Sequence, residues 1–217
     1  MTLIVVFQGK KCALLASDLQ VRFAEKNQLI LPVSPRTYKT FISEKFRRLP
    51  NGDYLAFNGR LNSQEYSVIA SKSLDELLSV PLVNDPSIRE DQDLVTFYAS
   101  ISNAQLYAAH FTQPLTAAQR GQPFAGADEI QNAHDLMDIT EKFRKGKKFD
   151  KEFLRQLSAK YEKYFLDAER TTDSFGGFAS YIVSPGKIRI LTKNIGKLEG
   201  CEEGYLDVGG KFSTPSS

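Results

Sequence analysis

Apolar positions along this chain come in short blocks whose spacing switches from strand-like to helical and back. The first block, Leu3–Gln8, is apolar at nearly every position, and so is 12–17 after the turn Gly9-Lys10-Lys11. Runs without a solvent-facing alternation predict a hairpin buried on both faces. Residues 20–44 contain Pro32 and Pro35 and hold no sustained period, which predicts a long excursion with one short strand at 29–31. A second hairpin, 46–49 and Tyr54–Asn58, turns on Pro50-Asn51-Gly52-Asp53, where Asn-Gly is the turn signal. From Asn62 the spacing becomes helical, with Tyr66, Ile69, Ala70, Leu74, Leu77 and Leu78 recurring at three- and four-residue intervals until Pro81.

A charged, proline-containing loop at 84–93 leads into a third hairpin, 94–101 and 105–111, rich in β-branched and aromatic residues. Two helices follow, over 128–144 and 150–171. The second sits behind an Asp150 N-cap and carries Phe153, Leu154, Leu157, Tyr161, Tyr164 and Phe165 along one face. A closing hairpin, 178–183 and 187–192, turns on Ser184-Pro185-Gly186, and the tail 212–217 reads as frayed and flexible. Hairpins pair antiparallel, and no strand–helix–strand alternation points to a parallel sheet. Strands apolar on both faces need cover on both faces. The expected fold is therefore α+β, a four-layer α-β-β-α sandwich of two antiparallel sheets in a single domain over 1–217.

Composition narrows the function classes. The chain has 217 residues, 41% hydrophobic and 25% charged, with a formal charge of +2. That charge is too small to argue for nucleic acid or an anionic membrane surface. No stretch approaches the ~20 apolar residues of a membrane helix, and the opening run lacks the charged flank and cleavage site of a signal peptide. Two cysteines, Cys12 and Cys201, form neither a disulfide framework nor a metal spacing, which suits a reducing cytoplasm. His110 and His134 stand apart from each other and from any H-E-x-x-H pattern, so no metal and no cofactor is expected.

The candidate chemistry lies at strand ends. Thr2 follows Met1, and a small residue in that position favours removal of the initiator. A threonine with a free α-amine carries a nucleophile and a general base in one residue. Asp18 follows the second strand in Ala16-Ser17-Asp18, Lys45 opens the third in Lys45-Phe46-Arg47-Arg48-Leu49, and Gly59 ends the fourth ahead of a helix. Taken singly, Asp18 reads as a strand-end cap, Lys45 as a solvated charge and Gly59 as a backbone necessity. Their joint order resembles the catalytic β-type subunits of proteasomes, which are N-terminal-nucleophile hydrolases. The likeness is nearest to the bacterial two-ring heat-shock peptidase: Asp18-Leu19-Gln20-Val21 is similar to its D-x-Q-V segment, and Lys45 through Asn51 to its K-V-R-R-L-x-N segment. It covers roughly residues 2–60 in detail and the remainder in topology.

That resemblance implies an N-terminal-nucleophile hydrolase fold and a threonine peptidase cleaving polypeptide substrates. Thr2 would attack the scissile carbonyl, with its α-amine taking the proton. Lys45 would keep that amine basic, Asp18 would hold Lys45, and the Gly59 N–H would serve as oxyanion donor. It further implies homo-oligomeric stacked rings and an ATP-dependent unfoldase partner. Three segments depart from the family pattern. The stretch between Asp18 and Lys45 is longer than usual, making 22–44 an atypical insertion. Ala127, in Gly126-Ala127-Asp128, stands where the family has a serine. Asp173 and Ser174, expected to orient the Thr2 amine, are displaced relative to Gly176-Gly177 and serve equally as helix caps. Two alternatives stay open: a ring subunit without activity, and an N-terminal-nucleophile amidase acting on a small molecule.

Overall fold

The computed structural model describes residues 3–24, 38–58, 63–88, 94–127, 130–206 and 212–214. Strands β1 (Leu3–Gln8), β2 (Ala13–Ser17), β3 (Gln20–Ala24), β4 (Tyr38–Ile42), β5 (Arg47–Arg48) and β6 (Tyr54–Asn58) come first. Helices α1 (Ser63–Ser71) and α2 (Leu74–Ser79) precede β7 (Val95–Ser100), β8 (Gln105–His110), β9 (Thr116–Ala117) and β10 (Pro123–Ala127). Helices α3 (Ile130–Arg144) and α4 (Lys151–Ala168) lead to β11 (Phe178–Ser184) and β12 (Lys187–Asn194). The short strands β13 (Glu202–Glu203), β14 (Tyr205–Leu206) and β15 (Phe212–Ser213) follow.

Two five-stranded antiparallel sheets dominate, in the orders β10-β1-β2-β11-β12 and β5-β6-β7-β8-β9. Side chains alternate across a strand, and the buried clusters divide by that parity. Ile4 and Val6 of β1 share one cluster with Leu15, Tyr181 and Val183, and with Ala56, Val95, Phe97 and Leu106 of the other sheet. Leu3, Val5 and Phe7 share a second with Leu136 of α3 and with Phe153, Leu154, Leu157, Tyr161 and Phe165 of α4. On the far side, Leu55 and Tyr98 pack with Tyr66, Ile69 and Ala70 of α1 and Leu77 of α2. These shared clusters order the layers as helix pair, sheet, sheet, helix pair, an α+β sandwich. They also explain the continuous apolar runs: every residue of β1, β2, β7 and β11 is buried.

The predicted hairpins and helices are present, three expectations change, and one strand is added. The excursion over 20–44 begins and ends as a strand pair, with Gln20 opposite Ile42 and Ala24 opposite Tyr38. Polar Gln20 and Arg22 alternate with Val21 over too short a run to stand out in the sequence; the strand expected at 29–31 lies outside the described residues. The helical block after Asn62 is two helices, because Ser73 caps α2 with its hydroxyl accepting from the Glu76 N–H and the Glu76 carboxylate accepting from the Ser73 N–H. Residues 123–127, to which the hydrophobic pattern assigns no element, form β10 and pair with β1, Leu3 lying opposite Ala127. The tail is not wholly frayed, since Phe212–Ser213 pairs antiparallel with Tyr205–Leu206. Among the described residues no helix is long and apolar enough to cross a membrane.

Candidate active site

One end of the first sheet collects the sequence-derived candidates that fall among the described residues. The start of β1, the end of β2, the start of β11 and the end of β12 lie together there, with Ile4 and Ala179 both opposite Ser17 and Phe178 opposite Asn194. Between β2 and β3 the chain turns a corner at Asp18-Leu19. Leu19 anchors it by burying its side chain in the inter-sheet cluster. Asp18 closes the turn as an Asx motif, its Oδ2 accepting from the Gln20 N–H at 3.0 Å.

The other Asp18 oxygen, Oδ1, accepts from the Leu3 N–H at 2.8 Å, while the Asp18 N–H donates to the Leu3 carbonyl at 3.0 Å. This carboxylate is therefore locked to the first described residue of β1, the one that follows Thr2 in the chain. Lys45 reaches the same spot from the segment after β4, which Ser43 fixes by donating its N–H to the Leu19 carbonyl at 2.8 Å. The Lys45 Nζ sits 3.7 Å from Asp18 Oδ2 and donates to the Gln20 carbonyl. The Asp18 side chain is fully buried and that of Lys45 only 10% exposed. A desolvated pair is tolerable only when its remaining hydrogen-bonding capacity is met, and here two backbone N–H groups and one carbonyl meet it.

Burial pushes the Asp18 carboxyl above the ordinary carboxylate range, and the Lys45 charge and the Leu3 and Gln20 N–H groups pull the other way. The arrangement thus holds an ammonium group in place, shielded from water, beside the start of β1. Thr2 and Gly59, the expected nucleophile and oxyanion donor, lie outside the described residues, as does Asp128. Ala127 opposes Leu3 in the ladder and brings no hydroxyl to that position.

Asp173 joins the cluster by its backbone. The Asp173 carbonyl accepts from Gln20 Nε2 at 2.8 Å and from Arg22, whereas its carboxylate is 95% exposed and 4.0 Å from Lys197 Nζ. The Ser174 N–H donates to Thr172 Oγ1 at 3.0 Å, a local turn contact. Sequence reasoning passed over Gln20, whose backbone carbonyl accepts from Lys45 and whose amide donates to Asp173. It also passed over Ser17, which is fully buried with its hydroxyl unpartnered among the described residues. Gln20 does stand inside the D-x-Q-V likeness; Ser17 leaves no signal in its spacing.

No protein-family model matches the chain, and no curated protein matches it either.

Proposed function

We propose that this chain is a proteasome-like threonine peptidase with the N-terminal-nucleophile hydrolase fold, hydrolysing peptide bonds through Thr2 after removal of Met1. The observation that carries this reading is the buried Asp18–Lys45 pair, with Asp18 hydrogen-bonded to the N–H of the residue bonded to Thr2. A sandwich of two antiparallel sheets and outer helices supports it at the level of fold.

In this mechanism the Thr2 hydroxyl attacks the scissile carbonyl carbon and its proton passes to the α-amine, whose unperturbed pKa of roughly 7.7–8.0 leaves it partly neutral near pH 7. The Lys45 cation disfavours a second positive charge nearby and so enlarges the basic fraction. The oxyanion takes a hydrogen bond from the Gly59 N–H, a type of contact contributing ~3–4 kcal/mol. The α-ammonium then gives its proton to the departing amine. Water, deprotonated by the same amine, hydrolyses the resulting ester and frees Thr2. Asp18 touches no reacting atom and positions Lys45. Stacked homo-oligomeric rings, an ATP-dependent unfoldase that feeds them, and a cytoplasmic setting belong to the same proposal; Cys12 and Cys201, both free thiols, suit a reducing compartment.

A second reading is a ring subunit without activity. It is favoured by Ala127 opposite Leu3 and by the outward-facing carboxylate of Asp173. Mass spectrometry of the mature N-terminus, followed by turnover of a fluorogenic peptide, separates the two. Catalysis requires that Met1 be absent and that Thr2→Ala reduce turnover to background. Retained Met1, or unchanged turnover in the variant, overturns the mechanism. Processed but inert protein of ring size by light scattering leaves the second reading in place.

A further inference from the structure

Behind the candidate site, the chain after α4 is fastened by groups that the mechanism above does not use. Glu169, at the C-terminal cap of α4, is 7% exposed. Its Oε2 accepts from the Gly177 N–H at 2.7 Å and its Oε1 from the Lys197 N–H at 3.0 Å. Lys197 returns the contact: its Nζ donates to the Glu169 carbonyl at 3.2 Å and to the Thr172 carbonyl. An ammonium at the exposed carbonyls of a helix C-terminus satisfies groups that the helix itself leaves open.

Three glycines show how closely the parts fit. A Cβ on Gly196, at φ +52°, would fall inside the Glu169 carboxylate. A Cβ on Gly176 would come within 2.9 Å of both Gln20 Oε1 and Lys197 Cε, and Gly177 has φ +67°. Gln20 and Lys197 therefore both close on the one point where a side chain at Gly176 would stand. From there the connections run to the site: the Leu19 N–H donates to the Gly176 carbonyl at 2.9 Å, Gln20 Nε2 donates to the Asp173 carbonyl, and the Gln20 carbonyl accepts from Lys45.

We infer that Glu169 and Lys197 are positioning residues: they clasp 172–177 against β3 and, through Gln20, set where the Lys45 ammonium sits. The inference rests on the peptidase reading for its consequence in rate, while the clasp has a readout of its own. Among the described residues, Arg22 also fastens segment 172–177, donating to the Asp173 carbonyl from β3. With Lys197 removed, the carbonyls of Glu169 and Thr172 lose their shared donor, and Gln20 loses a fixed partner.

The test uses the full-length protein with Lys197→Met, Lys197→Arg and Gln20→Met. Amide exchange followed by mass spectrometry reads the clasp directly, because freed backbone hydrogen bonds exchange faster. Lys197→Met should raise exchange about tenfold in peptides spanning 169–178 and 18–22, with Lys197→Arg restoring most of the protection. Displacement of a positioned group by about an ångström costs up to ~100-fold in rate, so kcat should fall about tenfold or more with KM within about twofold. The acid limb of the pH–rate profile should move to higher pH, since an amine farther from the Lys45 charge holds its proton more strongly. Gln20→Met cuts the relay without touching the clasp. It should reproduce the kinetic change with the Gly177 N–H still protected, and it carries the test if Lys197→Met does not fold. Unchanged exchange at 18–22 in Lys197→Met, or an unmoved pH profile in both variants, overturns the inference. Wild-type protein inert towards peptides removes the peptidase reading and leaves the exchange result to decide the clasp.

Discussion

Asp18 and Lys45 depend on each other more than on water. Both are carried into a nearly dry corner, where Asp18 accepts from the Leu3 and Gln20 N–H groups and Lys45 donates to the Gln20 carbonyl. Removing one partner of such a pair while the other stays buried costs about 3–5 kcal/mol. Asp18→Asn should therefore lower the free energy of urea-induced unfolding by roughly that amount. The double variant Asp18→Asn/Lys45→Met should recover part of the loss, because no orphaned ammonium is left. Strict additivity of the two single changes would mean that the pair is not coupled in the folded protein. The residue types at these positions are legible in sequence, since an aspartate at a strand end and a lysine ahead of Phe46 stand in a recognisable order. Their separation of 3.7 Å is not. It is produced by Ser43, whose N–H ties the segment before Lys45 to the Leu19 carbonyl.

At the scale of elements, α4 is the part whose limits the amino-acid order states most clearly. Phe153, Leu154, Leu157, Tyr161 and Phe165 fall on one helical face and are all buried against the first sheet. Asp150 begins the helix by accepting from the Phe153 N–H at 3.0 Å. Asp150→Ala should reduce stability by about 1 kcal/mol in a denaturant titration, with the slope of the transition unchanged. A loss well below a few tenths of that would remove the cap as a determinant of where α4 starts. Other elements escape the same kind of reading. Ser73 and Glu76 interrupt a helical period that continues across them, so one block of apolar spacing becomes two helices. Strand β3 alternates Gln20 and Arg22 with Val21, too short and too polar to announce itself. It exists because β4 pairs with it and because Asp18 turns the chain into it. Strand β10 contains Pro123 and Gly126, both poor strand residues, and is held by its ladder to β1.

Across the described residues, the two large sheets meet mainly through apolar side chains, with a polar crossing at the end of β1. Gln8 is 6% exposed; its Oε1 accepts from the Leu106 N–H at 2.8 Å, and its Nε2 donates to the Ala104 carbonyl at 3.1 Å. Gln8→Ala would leave a buried N–H and a buried carbonyl unpaired in a water-free layer, each costing about 1–3 kcal/mol. The expected result is a drop of ~2–5 kcal/mol in unfolding free energy with the secondary-structure signal retained. A change under about 1 kcal/mol would mean that water or a neighbouring group meets these atoms, contrary to a dry inter-sheet layer.

The sequence by itself determined the local grammar of this protein. Runs apolar on both faces made strands that had to be covered twice, Asn-Gly and Pro-Gly placed turns, and three-to-four spacing with an Asp cap made helices. These features depend on side-chain period and turn chemistry over a few residues, so they can be read without knowing what lies across the core. The tertiary structure decided what depends on partners distant in the chain: the order β10-β1-β2-β11-β12 and the meeting of Asp18 with Lys45. It also decided that Glu169 and Lys197, unremarkable as letters, close on one another around three glycines. Those contacts join segments separated by tens of residues, and only packing two sheets and four helices to interior density brings such groups within hydrogen-bonding reach.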